Sequence, residues 1–216
     1  MRSLITTEDL SVAEINELMD TAADIIENPE KYADKCRGKK IATLFFEPST
    51  RTRLSFEAAM LELGGSVLGF SDADSSSASK GESVADTAKI ISCYADIIAM
   101  RHFKEGAPMV ASINATIPVI NAGDGSHCHP TQTLADLFTI YKKKGTVSNL
   151  TIGLCGDLKN GRTVHSLIEA ASRYGNINFV LISPSELALP EYIKEQVSEC
   201  EGITFTSVCS LDEALP

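Results

Sequence analysis

The stretch "STRT", at positions 49–52, places three hydroxyl groups and one guanidinium in four consecutive residues: Ser49, Thr50, Arg51 and Thr52. It follows an apolar run, 41–46, that predicts a buried strand, and it precedes a segment, 53–63, that is typical of a helix. At such a junction the first helical amides have no partner within the helix, and the helix dipole is positive. Together these donors suit a phosphate, although an N-cap beside surface arginines is the alternative.

Three other predicted strands also end beside polar side chains that could bind an anion. Arg101 ends "DIIAMR", His129 and Gln132 follow "PVINAG", and Arg162 follows "LTIGLC". Because the carboxyl ends of parallel strands share one edge of a sheet, we expect these groups to line a common rim with 49–52. Each of them taken alone could equally have a structural role.

Two further motifs offer other chemistries. The segment "GDLKNGRT", 156–163, differs from the nucleotide-binding pattern G-x-x-x-x-G-K-[ST] because Arg162 occupies the lysine position, and no strand ends in an Asp suited to hold magnesium. His127, Cys128 and His129 lack further spaced ligands for a tetrahedral zinc site. We therefore predict no metal site, and nucleotide binding remains a distant alternative.

Apolar strand-like runs alternate with helix-like segments along the whole chain, which predicts an α/β fold of parallel sheets flanked by helices. Ser11 and Glu14 form a capping box at the start of the first helix. The pattern predicts two domains, 1–129 and 146–216, joined by a helix at 130–145. The serine-rich segment 71–83 has the composition of a surface loop.

The composition and charge of the chain argue against several classes of function. The 216 residues are 44% hydrophobic and 22% charged, as in an ordinary globular protein, and the net charge of -10 argues against a broad nucleic-acid surface. No apolar run reaches the length of a membrane span, and the polar start shows no secretory signal. Six scattered cysteines fit a reducing compartment, so we expect a cytoplasmic protein without nucleic-acid or membrane partners.

With "FFEPSTRTRLSFE", "SKGES", "MRH", "HPTQTLADLFTI" and "GDLKNGRTVHSL" in this order, nearly the whole chain resembles the aspartate/ornithine carbamoyltransferase family. The motifs "FFEPSTRT", "KGES" and "GDLKNGRTVHSL" favour its aspartate branch. The resemblance implies transfer of the carbamoyl group from carbamoyl phosphate to L-aspartate, giving N-carbamoyl-L-aspartate and phosphate in pyrimidine biosynthesis. It implies no metal or organic cofactor.

The resemblance also implies roles for individual residues. Ser49, Thr50, Arg51 and Thr52 would hold the phosphate; Arg101, His129 and Thr52 would surround the carbamoyl oxygen; Gln132 would contact the carbamoyl amide; Arg162 would bind a substrate carboxylate. Family members form homotrimers with shared active sites, so Ser76 and Lys80 would reach into a neighbouring subunit. Ser75 or Ser77 could take the place of Ser76, because its position is counted back from the "KGE" motif. Arg51, Thr52, Lys80, Arg101 and His129 would be the catalytic set.

Family members continue beyond "SLDEALP", so the resemblance implies a C-terminally truncated chain with an incomplete second, aspartate-binding domain. We therefore expect carbamoyl-phosphate binding to survive better than turnover. The resemblance leaves open whether a regulatory chain binds. Two alternatives remain: ornithine carbamoyltransferase, and a non-catalytic module for anion binding or assembly.

Overall fold

The computed structural model describes residues 2–72 and 77–214. Position 76, for which we predict a role in a neighbouring active site, lies outside the described residues. The chain divides into two compact units, Met1–Pro130 and Thr131–Pro216. Each unit contains one sheet, and every pair of neighbouring strands is parallel. The predicted α/β class, with parallel sheets flanked by helices, is confirmed.

The first unit contains a four-stranded sheet with the order β2-β1-β3-β4. Its strands are β1 (Lys40–Phe45), β2 (Ser66–Phe70), β3 (Ile97–His102) and β4 (Val119–Asp124). Its helices are α1 (Val12–Glu27), α2 (Thr50–Glu62), α3 (Val84–Ile91) and α4 (Ala107–Asn114). Short 3₁₀ turns at Thr7–Asp9, Pro29–Lys31 and Ser77–Lys80 connect these elements.

The central strand β1 is buried on both faces, which explains its continuous apolar sequence. Ala42 and Leu44 belong to one core cluster, and Ile41 packs in a second cluster with Met60 of α2. Successive side chains of a strand point to opposite faces, so the two clusters lie on the two sides of the sheet. The sheet is therefore covered by helices on both sides, and its strand ends are the places where polar groups can collect.

Helix starts follow local sequence signals. The predicted capping box of α1 is present: Glu14 N donates to Ser11 Oγ at 3.2 Å, and Ser11 N donates to Glu14 Oε2 at 2.7 Å. The predicted start of α2 at position 53 is wrong, because the helix begins at Thr50. Pro48 disfavours helical geometry in the residue before it, and Ser49, with an extended backbone, becomes the N-cap. Thr50, Arg51 and Thr52 thus form the first helical turn rather than a preceding loop.

The second unit contains a three-stranded sheet with the order β5-β6-β7. Its strands are β5 (Leu150–Cys155), β6 (Ile177–Ile182) and β7 (Thr204–Val208). Its helices are α5 (Pro130–Lys144), α6 (Arg162–Ser172), α7 (Glu191–Gln196) and α8 (Leu211–Ala214). The first residue of α5, Pro130, belongs to the first unit. A 3₁₀ turn, Ser185–Leu187, precedes α7. Phe179 on the central strand is fully buried and stacks on Phe205. Within the described ranges, no helix is long and apolar enough to cross a membrane.

Candidate active site

Strand register brings the ends of β1, β3 and β4 to one edge of the first sheet. Phe45 pairs with Arg101, and Phe46 N donates to the Arg101 carbonyl oxygen at 2.9 Å. His102 pairs with Asp124 across β3 and β4. The chain leaving β1 into α2 therefore starts beside the end of β3, and the chain leaving β4 toward His129 starts on the other side of β3. Three of the predicted anion-binding segments thus share one carboxyl edge.

The N-terminus of α2 presents an uncapped first turn. The Ser49 side chain makes no capping hydrogen bond, so it does not satisfy the amides that an N-cap usually engages. Arg51 is exposed and forms no ion pair with another described residue, whereas Arg53, two positions later, lies 3.6 Å from Glu57. Thr52 is half-buried. The N-terminus of α2 therefore combines backbone amide donors with the long, exposed cationic side chain of Arg51, as a phosphate site requires.

Arg101 is largely buried and is held by the carboxylate of Glu47. Its Nη2 donates to Oε1 of Glu47 at 3.0 Å, and its side chain is only 12% exposed. Its Nε atom is also buried and has no hydrogen-bond partner among the described residues. A buried guanidinium N–H normally finds an acceptor, so this donor has unused capacity for a ligand or water oxygen. The ion pair with Glu47 restrains the guanidinium in one orientation.

His129 is buried and lies directly after a turn that is anchored to β4. Asp124 N donates to the Cys128 carbonyl oxygen at 3.2 Å, and Cys128 N donates to Asp124 Oδ1 at 3.1 Å. His127 N donates to the Asp124 carbonyl oxygen at 3.0 Å. These bonds fix the backbone one residue before His129, so the position of the imidazole follows from the end of β4.

His102, which directly follows Arg101 in the sequence, is a buried imidazole. Burial lowers its pKa, and the Lys104 cation adds to this effect. Its Nδ1 accepts the Lys104 amide N–H at 2.8 Å, so the neutral ring carries its proton on Nε2. The rings of Phe46 and Phe103 lie 4.7 and 4.4 Å from it.

These aromatic rings line an open cavity of about 570 Å³ between the end of β3 and the N-termini of α3 and α4. Glu82, Ser83 and Lys104 also line it. Residues 49–52 are not among its lining residues, so the cavity is separate from the predicted phosphate-binding turn. No group of three or more His, Cys, Asp or Glu within the described part of the chain is arranged to hold a metal ion.

The remaining predicted site residues lie elsewhere. Lys80 is exposed at the end of the turn Ser77–Lys80, and Ser77, the alternative to position 76, begins that turn. In the second unit, Gln132 Nε2 donates to Asp136 Oδ1 at 2.9 Å, and burial raises the pKa of Asp136. Arg162 is the first residue of α6 and is half-buried.

The turn before Arg162 is built by Asp157. Its Oδ1 accepts the amide N–H groups of Lys159 and Asn160 at 3.1 and 3.0 Å, and the Asn160 side-chain Nδ2 donates to its Oδ2 at 3.1 Å. The bond from the Asn160 side chain, followed by the backbone bonds, holds the pKa of Asp157 below the usual range. The structure therefore brings 49–52, Arg101 and the approach to His129 to one edge of the first sheet. Gln132 and Arg162 belong to the second unit, and position 76 is not described.

Residues 2–142 match the family described as "Aspartate/ornithine carbamoyltransferase, carbamoyl-P binding domain". The chain is 62% identical over 216 residues to the aspartate carbamoyltransferase catalytic subunit of Lachnoclostridium phytofermentans, covering 100% of this chain and 70% of that protein. It is 62% identical over 214 residues to the catalytic subunit of Clostridium novyi, with 99% and 70% covered.

Solved structures agree. The catalytic subunit of aspartate transcarbamoylase from M. jannaschii has 47% identity and a TM-score of 0.92 over 99% of this chain and 70% of that one. The Trypanosoma cruzi enzyme, solved in complex with carbamoyl phosphate and aspartate, has 37% identity and a TM-score of 0.93 over 100% of this chain and 73% of that one.

The sheet edge with its clustered cations, and the family match over most of the chain, define a carbamoyltransferase. The chain belongs to the aspartate/ornithine carbamoyltransferase family and, within it, to the aspartate carbamoyltransferase catalytic subunits. It is thus a member of a transferase family, as the sequence motifs predict. It spans about 70% of the length of the relatives that it matches.

Two residues that shape this edge were missed from the sequence. Glu47 stands within "FFEPSTRT", and a carboxylate beside three hydroxyl groups and a guanidinium was the available signal. Asp124 stands in "NAGDG", where an acidic residue at the end of a buried strand could have been recognised as an acceptor for a following turn. Both act through partners distant in sequence or through backbone amides, which local patterns do not reveal.

Proposed function

We propose that this chain binds carbamoyl phosphate at the carboxyl edge of its four-stranded sheet and transfers the carbamoyl group to the amino nitrogen of L-aspartate. The observation that carries the proposal is the register of Phe45 with Arg101, which sets a buried guanidinium beside the chain that enters α2. The bound carbamoyl phosphate and aspartate of the Trypanosoma cruzi relative support the choice of ligands.

The phosphate would bind at the N-terminus of α2. Ser49, Thr50 and Thr52 supply hydroxyl donors beside the first-turn amides, and Arg51 supplies a cation without an internal partner among the described residues. Charge-assisted hydrogen bonds to phosphate oxygens are stronger than neutral ones. The net charge of -10 makes this local concentration of donors necessary, because the average field of the protein repels a dianion.

The carbamoyl oxygen would lie toward the end of β3. Arg101, His129 and the Thr52 hydroxyl would donate to it, and Gln132 would contact the carbamoyl amide. Negative charge grows on this oxygen as the amine attacks, so fixed donors there stabilise the transition state more than the ground state. The pairing of Arg101 with Glu47 supports this role, since a guanidinium fixed in advance loses little entropy on binding.

In the proposed reaction, the deprotonated amino nitrogen of aspartate forms a bond to the carbamoyl carbon, and the bond from that carbon to the phosphate oxygen breaks. Phosphate leaves with the bonding electron pair, stabilised by Arg51 and Lys80. The proton lost by the amine passes to the departing phosphate. Arg162 would bind a carboxylate of aspartate. The chemistry requires alignment and charge stabilisation from these side chains.

We further propose a homotrimer in which Lys80 and a serine of the 75–77 segment complete the site of a neighbouring subunit. Lys80 is exposed on a short turn and is free to reach outward. Equal mixing of Lys80→Ala and Arg51→Ala proteins after dissociation should restore some carbamoyl-aspartate formation, because some sites then contain both intact residues. Each variant mixed with itself is the control, and no recovery would count against a shared site.

The same activity would serve pyrimidine biosynthesis in the cytoplasm. The cysteines support a reducing compartment: Cys93, Cys155 and Cys209 are exposed and all six are free thiols.

The deciding experiment has two parts. Calorimetric titration with carbamoyl phosphate tests the anion site, and a product assay with L-aspartate or L-ornithine tests the transferase reaction and its acceptor. We expect binding, with carbamoyl-aspartate as the product. Absence of carbamoyl-phosphate binding would refute the site, binding without any turnover would favour a non-catalytic module, and carbamoylation of ornithine would contradict the assigned acceptor.

A further inference from the structure

Asp124 is a fully buried carboxylate at the end of β4, and it receives four hydrogen bonds within the first unit. Asn121 Nδ2 and Cys128 N donate to Oδ1 at 3.0 and 3.1 Å. Gly106 N donates to Oδ2 at 2.9 Å, and His127 Nδ1 lies 3.1 Å from the same oxygen, where a carboxylate requires it to donate. Each carboxylate oxygen of Asp124 thus accepts two hydrogen bonds.

These donors come from the two segments that leave the strand ends of the proposed site. Gly106 closes the loop that follows Arg101 and His102 and is the N-cap residue of α4. Cys128 immediately precedes His129. A single side chain therefore holds both the loop after β3 and the turn after β4. The strand pair itself is irregular at this point, because the β3–β4 register shifts between Met100 and His102.

We propose that Asp124 is a positioning residue for the carbamoyl-phosphate site: it fixes the spacing between Arg101 and His129 by holding the chain segments that follow β3 and precede His129. The inference rests on the proposed function, since it assigns those two residues to the carbamoyl oxygen. Asp124 itself does not act on the substrate. Its effect passes through the amides of Gly106 and Cys128.

A carboxylate suits this position because it accepts without donating. Burial of a charge is costly unless hydrogen bonds compensate for it, and here four donors do so. The isosteric Asn has one acceptor oxygen, and its amide group would face two of the four donors. Asp124→Asn therefore forces one of the two chain segments to move while it preserves side-chain volume.

The test compares two ligands in each variant: carbamoyl phosphate, and inorganic phosphate alone. In the proposed site inorganic phosphate contacts the α2 turn and Lys80, whereas carbamoyl phosphate also needs Arg101 and His129. In Asp124→Asn we expect the Kd for carbamoyl phosphate to rise by at least about tenfold, as for the loss of one hydrogen bond between the ligand and a charged group. The Kd for phosphate should change by less than about twofold. A general loss of stability would raise the Kd values of both ligands, rather than that of carbamoyl phosphate alone.

Asp96→Asn is the matched control at the opposite edge of the same sheet. Asp96 accepts Lys40 N at 2.9 Å and Lys39 Nζ at 2.9 Å, so its substitution also removes a hydrogen-bonded carboxylate. Both Kd values should stay within about twofold of wild type. A rise in the carbamoyl-phosphate Kd in this variant equal to that of Asp124→Asn would overturn the assignment to Asp124.

His127→Ala keeps the test decisive if Asp124→Asn does not fold. The His127 side chain is about half exposed, so its removal takes one donor from Asp124 with little effect on packing. We expect a smaller rise, about threefold, in the carbamoyl-phosphate Kd only, as for loss of one hydrogen bond. Unchanged affinity in every folded variant would overturn the inference. Failure of the wild-type protein to bind carbamoyl phosphate would instead refute the proposed function.

Discussion

Arg101 and Glu47 form an ion pair between the ends of β3 and β1, with Nη2 and Oε1 3.0 Å apart. The two residues are 54 positions apart in the chain, and the parallel pairing of their strands brings them together. The arginine is nearly buried while the glutamate is partly exposed. Solvent therefore reaches the carboxylate more readily than the cation, and the buried guanidinium is held at the edge of the sheet by Glu47.

Replacement of Arg101 tests its proposed contact with the carbamoyl oxygen. Arg101→Gln should weaken carbamoyl-phosphate binding by about a hundredfold, because loss of one partner of a hydrogen-bonded charge pair typically costs 2–5 kcal/mol. Titration calorimetry measures this. Arg2→Gln, which removes an exposed arginine paired with Glu14 at 2.6 Å, is the matched control and should leave the affinity unchanged. Equal affinity in both variants would contradict the assignment.

Substitution of the two arginines at the start of α2, Arg51 and Arg53, distinguishes a ligand-binding cation from one that pairs within the helix. Arg51→Ala should abolish measurable carbamoyl-phosphate binding, because it removes the cation next to the uncapped helix end. Arg53→Ala removes the same charge from the same helix, but this side chain pairs with Glu57 and should matter little to the ligand. Calorimetry on both proteins, with circular dichroism to verify folding, makes the comparison. Retained binding in Arg51→Ala would exclude the phosphate site.

His102 should make the fold sensitive to acid. Burial lowers its pKa in the folded state below the ordinary value of 6.5, so the unfolded chain takes up the proton first. The stabilising contribution is therefore complete above about pH 6.5, and it is lost as the pH falls through this value toward the folded-state pKa. His102→Asn, which keeps an acceptor for Lys104 N, should show a smaller loss in the free energy of unfolding between pH 7 and pH 5.

Urea unfolding at several pH values provides the measurement for His102. Ile98→Val serves as the control, because it removes one buried methylene group from β3 but no titratable group. It should lower the free energy of unfolding by a similar amount at each pH. Parallel pH profiles for wild type and His102→Asn would show that this residue does not carry the acid sensitivity.

The contact between β1 and β2 depends on a glycine. Gly69 has a φ of +146°, and an added Cβ would lie 2.1 Å from the Thr43 carbonyl oxygen. Gly69→Ala must push the strands apart, so we expect the free energy of unfolding to fall by about 3 kcal/mol. Gly153→Ala in β5 is the control, since its Cβ would meet only Ile182 Cδ1 at 3.9 Å. Thermal or urea unfolding that gives equal stability for both variants would disprove this account.

Local sequence patterns were sufficient to predict the helices and strands of this fold, but not every residue at which they begin or end. The apolar run at 41–46 and the box of Ser11 and Glu14 report on residues close in sequence, so strand and helix were predictable. The start of α2 was misplaced by three residues, because the residue types of 50–52 suit a turn as well as a helix. Element ends depend on capping geometry, which sequence composition describes weakly.

The sequence by itself determined which residues could bind an anion, because "STRT", Arg101 and His129 each follow an apolar strand. Only the tertiary structure decided which of them are neighbours. The strand order β2-β1-β3-β4 sets Arg101 beside the start of α2, and it brings Asp124 to the loop after β3. Strand order depends on contacts between segments dozens of residues apart, and the hydrogen bonds that form these contacts are the same for any sequence. Local residue patterns therefore cannot encode it.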